Sequence, residues 1–155
     1  MHILIKHTIV TLSKSLIIIF FIFVSFNANA AQSVEEIIKA RKALFSKNYN
    51  TAKKVQALSS GGNFDDARKL MTEMSENYKK LQGMFPENTK KGFKTESLST
   101  IWEEKDNFNS LMDKSSKDMI ELASIIQNSD DVKPILGKLM WGNCKACHSK
   151  YRAEH

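Results

Sequence analysis

The chain has 155 residues, 23 of them basic and 17 acidic, for a formal net charge of +6. Its lysines are interspersed with acids and never gather into the dense basic tract that nucleic-acid binding asks for. Both cysteines fall within the last 12 residues, where they can close only a tiny loop, so a disulfide framework is excluded as the source of stability.

Residues 1–14 carry Lys6 and Lys14 and no acid, residues 16–26 are almost wholly apolar, and Ala28, Asn29 and Ala30 put small residues where a signal peptidase reads. This order predicts a signal peptide over residues 1–30, cleaved before Ala31. The apolar run of 11 residues is short of the roughly 20 needed to cross hydrocarbon as a helix. An uncleaved anchor starting near Ile3 is the alternative, although Lys6, His7 and Lys14 interrupt it. The remaining residues, 31–155, suit one domain with one core, and their 21 basic against 17 acidic residues leave a charge of +4.

The first element expected in that domain is a helix capped by Ser33, with Glu35 and Glu36 in its first turn. Val34, Ile37, Arg41, Leu44, Phe45, Ala52, Val55 and Leu58 follow a helical period, and Ser59-Ser60-Gly61-Gly62 stops it. Asn63 caps a second helix whose inner face carries Phe64, Ala67, Leu70, Met71, Met74, Tyr78 and Leu81. Residues 83–92, with Pro86, Lys90 and Lys91, form a long connection. Ser99 or Thr100 caps a third, long helix through Ile126, with Glu103 at capping-box spacing from Thr100. Asn128 to Asp131 breaks it, and Pro134 fits the first turn of a last helix that runs through Ile135, Leu136, Leu139 and Met140 toward the cysteines. No segment alternates as a strand would, so the fold class predicted is all-α, an antiparallel four-helix bundle.

Cys144-Lys145-Ala146-Cys147-His148 matches C-x-x-C-H, the attachment pattern of c-type haem. On a helix Cys144 and Cys147 share a face and His148 lies one turn from Cys144. Two thiols can then bond the two vinyl edges while the imidazole reaches the iron. A thioredoxin-like redox pair would need a strand before the motif and most of a domain after it, whereas only seven residues follow His148. A zinc site could take Cys144, Cys147, His148 and a fourth ligand such as His155, but adjacent Cys147 and His148 are awkward as tetrahedral ligands. One covalent haem c per chain is the reading on which motif, export and helical pattern agree.

Here the chain resembles the cytochrome c prime family, the class II c-type cytochromes whose attachment motif lies near the C-terminus. The likeness runs through Trp141-Gly142-Asn143-Cys144-Lys145-Ala146-Cys147-His148-Ser149-Lys150-Tyr151-Arg152, Ile101-Trp102 with Phe108, Phe85-Pro86-Glu87-Asn88 and Ile38-Lys39-Ala40-Arg41. It implies a four-helix bundle, frequently a homodimer, in a bacterial periplasm. It also implies that Arg41 contacts the haem, and that Arg152 sits beside the proximal imidazole, where a cation tunes the ligand's basicity. The family's sixth coordination position is decided four residues after that first arginine, at Phe45 here, where low-spin relatives carry methionine. A phenyl ring has no lone pair for iron, so the resemblance implies a five-coordinate, high-spin haem with Phe45 over its distal face. Met71, Met74 and Met84 are the reserve ligands, although methionine fills cores readily. Trp102 either stacks on the porphyrin edge or buries itself against the loop, and Trp141 and Tyr151 are equally open between haem contact and packing.

The function expected is reversible binding of a small diatomic gas, nitric oxide foremost, and no enzymatic turnover. Electron transfer is the alternative, with Lys145 and Lys150 steering an acidic periplasmic redox partner. A bundle without a cofactor is the third reading, and it makes the motif a coincidence. Once the leader is removed, neither a membrane nor a nucleic acid is an expected partner.

Overall fold

A capping box starts the first helix of the computed structural model, which describes residues 32–154; the predicted leader and His155 lie outside the described residues. The Ser33 side chain accepts from the Glu36 backbone N–H, and the Glu36 carboxylate accepts from the Ser33 N–H at 2.8 Å, so two donors at the end of α1 (Val34–Ser60) are satisfied reciprocally. Gly62, with φ 77°, turns the chain in the left-handed region that suits glycine. The Asn63 N–H then donates to the Leu58 carbonyl at 2.9 Å, and the Asn63 side chain caps α2 (Phe64–Gln82) by accepting from the Asp66 N–H at 3.3 Å.

The third bundle helix departs from the expected single element. Its first turn, α3 (Thr100–Glu103), is separated by Glu104, at φ −118° and ψ 44°, from the long α4 (Lys105–Ile125). The expected capping box at Thr100 is absent because a tertiary partner takes the hydroxyl: Thr100 Oγ1 donates to the Lys150 carbonyl at 3.0 Å. Glu104, at the break, pairs with Lys150 and accepts from the Tyr151 hydroxyl at 3.4 Å, so the break faces the end of the chain.

The fourth bundle helix is also interrupted. Asp131 caps α5 (Val132–Leu136), with Pro134 in its first turn as expected, and α6 (Gly142–Tyr151) carries the motif. Between them Gly137–Trp141 forms a π turn, closed by the Gly142 N–H on the Gly137 carbonyl. A Cβ at Gly142 would meet that carbonyl oxygen at 3.2 Å, so glycine permits the wider turn. Asn143 braces it, donating from Nδ2 to the Leu139 carbonyl at 2.7 Å and to Asp118 of α4 at 2.8 Å. Asp118 is itself buried and paired with Lys114, which fixes the start of the motif helix against α4.

The four rods bury a core rich in methionine. Met71 and Met74 of α2, Met112 and Met119 of α4, and Met140 of the π turn lie fully inside with Leu81, Phe108, Leu122 and Ile126. The inner face of α1 is offset from the predicted stripe: Ile38 is fully buried in place of Ile37, and Arg41, Asn48, Thr51 and Ser59 line it as polar residues. Asn77 answers Asn48 with a 2.8 Å bond from Nδ2 to Oδ1, and the Ser75 and Ser116 hydroxyls meet at 2.8 Å between α2 and α4. The shared hydroxyl bond offsets the burial of Ser75 and Ser116, and the Asn77 bond does so for the Asn48 carbonyl oxygen.

No sheet forms among the described residues; one isolated antiparallel bridge joins Ser97 to Arg152. Its bonds run from the Leu98 N–H to the Tyr151 carbonyl at 3.0 Å and from the Ala153 N–H to the Glu96 carbonyl at 2.9 Å. The long connection after α2 contains a 3₁₀ turn, Glu87–Thr89, and a tight turn closed by the Thr95 N–H on the Gly92 carbonyl at 3.0 Å. Within that turn Phe93 and Lys94 have φ of 49° and 54°, the left-handed region, which costs roughly 1–2 kcal/mol per non-glycine residue. No helix among the described residues is long and apolar enough to cross a membrane.

Candidate functional site

The last bundle helix brings Cys147, His148 and Tyr151 to one wall of a cavity of about 430 Å³. The opposite wall is α1, which contributes Arg41, Lys42, Phe45, Ser46 and Tyr49. Phe85, Glu96 and Ser97 of the long connection, Ile101 of α3, Phe108 of α4 and Arg152 complete the lining. A shallower concavity of about 540 Å³ between α2 and α4, around Arg68 and Ile120, holds neither thiol nor imidazole and is not the site.

Rings dominate the interior. Phe85 sits at the centre, edge to face with Phe45 (6.4 Å between centroids), Phe108 (4.8 Å) and Trp102 (5.9 Å), and Phe108 meets Tyr151 at 5.3 Å. Cations fringe it: Arg41, Lys42 and Arg152 line the cavity, and the Arg152 guanidinium holds Glu96 at 3.0 Å. An apolar slot with a positive fringe accepts a planar, mostly apolar group that ends in carboxylates.

The two cysteines are not bonded to each other. Cys147 is buried on the cavity wall, where desolvation, reinforced by the neighbouring Cys144, pushes its thiol up to about 12. Cys144, nearly one turn earlier on the same face of the motif helix, lies outside the lining, with its Sγ 4.0 Å from the buried Tyr78 hydroxyl. Burial raises its thiol too, opposed by the hydrogen bond from Tyr78. Burial thus holds both side chains toward the neutral thiol form. Among the described residues no group of three or more His, Cys, Asp or Glu side chains converges as a metal cluster would.

The other residues singled out in the sequence divide. Arg41, Phe45, His148 and Arg152 share the cavity with Cys147. Trp102 lies one ring behind it, its indole N–H donating to the Phe85 and Pro86 carbonyls at 3.0 and 3.2 Å, so it supports the wall and does not form it. The lining holds no methionine: Met71 and Met74 are core residues, and the Met84 carbonyl accepts from Arg41. Trp141 also stays outside, bonding Gln56 at 2.8 Å, whereas Tyr151 lines the cavity. Phe85, at the hub of the rings, reads by sequence only as part of a loop, and its place beside Pro86 is the one local signal for it.

Arg41 does more than face the cavity. It is 1% exposed, and its guanidinium donates to the Met84 carbonyl (3.3 Å), Thr89 Oγ1 (2.8 Å), the Thr89 carbonyl (3.0 Å) and Thr95 Oγ1 (2.7 Å). It also lies 4.5 Å from the Phe85 centroid, and burial lowers its pKa to about 10, still charged at neutral pH. One side chain on α1 thus clamps the whole long connection. Arg41→Leu leaves these acceptors without a donor, and we expect a loss of about 3 kcal/mol in urea unfolding, with faster amide exchange at Thr89 and Thr95. A loss below about 1 kcal/mol would show that the clamp is replaceable by water.

The family model for cytochrome c′ matches residues 36–152 of the chain. Cytochrome c′ of Rhodopseudomonas palustris is 31% identical over 122 residues, covering 77% of this chain and 83% of the relative. A solved structure of cytochrome c′ from the same organism superposes with a TM-score of 0.64 at 28% identity, over 79% of this chain and 98% of the other. The structure from Rubrivivax gelatinosus gives a TM-score of 0.66 at 25% identity, over 78% of this chain and 98% of that one. Motif helix, aromatic cavity, matched sequence and superposed bundle agree, and the chain belongs to the cytochrome c′ family.

Proposed function

We propose that residues 31–155 form a periplasmic haem c protein, released from the leader 1–30, in which Cys144 and Cys147 form thioethers to one porphyrin and His148 ligates its iron. The loaded protein binds a small neutral gas, nitric oxide foremost, reversibly and without turnover. The observation that carries this reading is the cavity itself. It offers one imidazole, one buried thiol and an apolar wall that includes Phe45, with no methionine to complete an iron's ligand set.

The bound haem supplies the metal centre that gives electron density to a diatomic ligand. The rest is the work of the chain. Phe45, Phe85 and Phe108 exclude water and charged ligands by desolvation. Arg41 contributes its positive charge from the cavity wall, and Arg152 offers donors to carboxylates at the fringe and, four residues after His148, keeps a cation near the imidazole. Asn143 and Asp118 hold the motif helix in its rotation. Family likeness supports a homodimer as well, which gel filtration reads directly.

The deciding measurement is the absorption spectrum of the purified protein, ferric and ferrous, with and without nitric oxide and carbon monoxide. High-spin bands that shift with gas are the expected result. A low-spin ferrous spectrum unmoved by either gas would defeat the open position and leave electron transfer as the better reading, which the positive cavity fringe favours in its own right.

A further inference from the structure

The turn that closes the long connection has three properties that neither packing nor backbone preference accounts for. Phe93 and Lys94 both hold positive φ, a region a bulky aromatic residue rarely adopts. Phe93 is nonetheless 51% exposed, so its ring receives no burial in return, and Leu98 of the same connection is 38% exposed. Three lysines, 90, 91 and 94, surround the ring in sequence. Strain kept at an exposed apolar tip points to function, because a glycine or asparagine would make the same turn at less cost.

The turn sits at the rim of the cavity and is held there. Lys42, a cavity residue of α1, donates from Nζ to the Lys94 carbonyl at 2.8 Å, and Glu96 and Ser97, just beyond the turn, line the cavity. Counting Lys42, Lys90, Lys91, Lys94 and Arg152 against Glu87 and Glu96, this rim carries five cations and two carboxylates. Lys90 is paired with Glu87 at 2.5 Å, and both Lys42 and Arg152 lie against Glu96, which leaves Lys91 and Lys94 as the uncompensated positive charges beside the ring. A half-exposed aromatic centre within a cationic rim is the composition of a protein-docking patch.

We propose that the Gly92–Thr95 turn is the docking point for an acidic redox protein, whose carboxylates meet Lys91 and Lys94 and whose apolar centre covers Phe93. The inference rests on the reading of a redox-active haem in the cavity. The ferrous state that binds gas has to be supplied by a donor, and docking at this rim lets the acidic protein give up one electron as the ferric iron takes it.

The test uses the haem-loaded protein and two reductants: a reduced acidic flavodoxin, and photoreduced riboflavin, which is small and uncharged. At low salt, Lys91→Glu with Lys94→Glu is expected to slow reduction by flavodoxin at least tenfold and to flatten its salt dependence, with Phe93→Ser slowing it about fivefold. Neither change should alter reduction by riboflavin or the carbon monoxide spectrum. Lys54→Glu, about 20 Å farther along α1 from Arg41 at 1.5 Å per residue, is the charge-matched control and should cost less than about twofold. Equal rates in all variants would overturn the docking point while leaving gas binding intact, as would a parallel slowing with riboflavin. Phe93-dependent sedimentation with anionic phospholipid vesicles, with flavodoxin rates unchanged, would also overturn it and assign the turn to a membrane surface. A purified protein without covalent haem would remove the functional reading and the docking proposal together.

Discussion

Cys144→Ala with Cys147→Ala, made in a host able to attach haem c, is expected to abolish covalent porphyrin: no haem staining survives denaturing electrophoresis. Each single variant is expected to keep it through one thioether. The asymmetry of the two thiols gives the prediction its detail. Cys147 is buried in the cavity wall, whereas Cys144 stands beside Tyr78 outside the lining, so the two sulfurs meet different surroundings although they share a helix face. One bond holds the ring at one edge and leaves the imidazole of His148 to find the iron with more freedom. The single variants are therefore expected to show broadened, mixed-spin spectra where the double variant loses the colour on dialysis in denaturant. Retained staining in the double variant would mean that the attachment lies elsewhere and would remove the basis of the functional reading.

Phe45→Met should convert the ferrous protein from high spin to low spin and weaken binding of carbon monoxide by at least about 100-fold, the cost of displacing an internal thioether ligand. Phe45 lines the cavity from α1, four residues after the clamp at Arg41, so a flexible side chain with a soft sulfur at this point can reach the cavity centre. The exchange is close to volume-conserving and should cost less than about 1.5 kcal/mol of stability, so the spectrum reports ligation and not unfolding. Phe45→Leu is the control: it removes the ring without offering a donor, and is expected to stay high-spin. Identical spectra and gas affinities in the methionine variant would show that Phe45 stands too far from the iron to govern its sixth position.

The boundaries of α1 and α2 were legible in the sequence because local chemistry sets them: a serine with glutamate three residues on, two glycines, and an asparagine cap. The composition of the core followed from helical period, with Met71, Met74, Leu81, Phe108 and Leu122 all inside. The attachment motif was legible for the same reason, since its chemistry is carried by spacing along one helix. Spacing alone could not find the break at Glu104 or the π turn at Gly137–Trp141. Both depend on partners distant in the chain: Lys150 and Tyr151 for Glu104, and Asp118 through Asn143 for the turn.

The sequence by itself determined an all-α chain with a C-x-x-C-H helix at its end, because helix caps, apolar period and motif spacing are properties of neighbouring residues. Tertiary structure alone decided which residues form the cavity. It put Phe85 at the hub of the rings, Trp102 behind that wall, and Cys144 beside Tyr78, outside the cavity lining. It also spent the Arg41 guanidinium on a loop more than 40 residues away, since a buried cation takes the acceptors that packing brings to it.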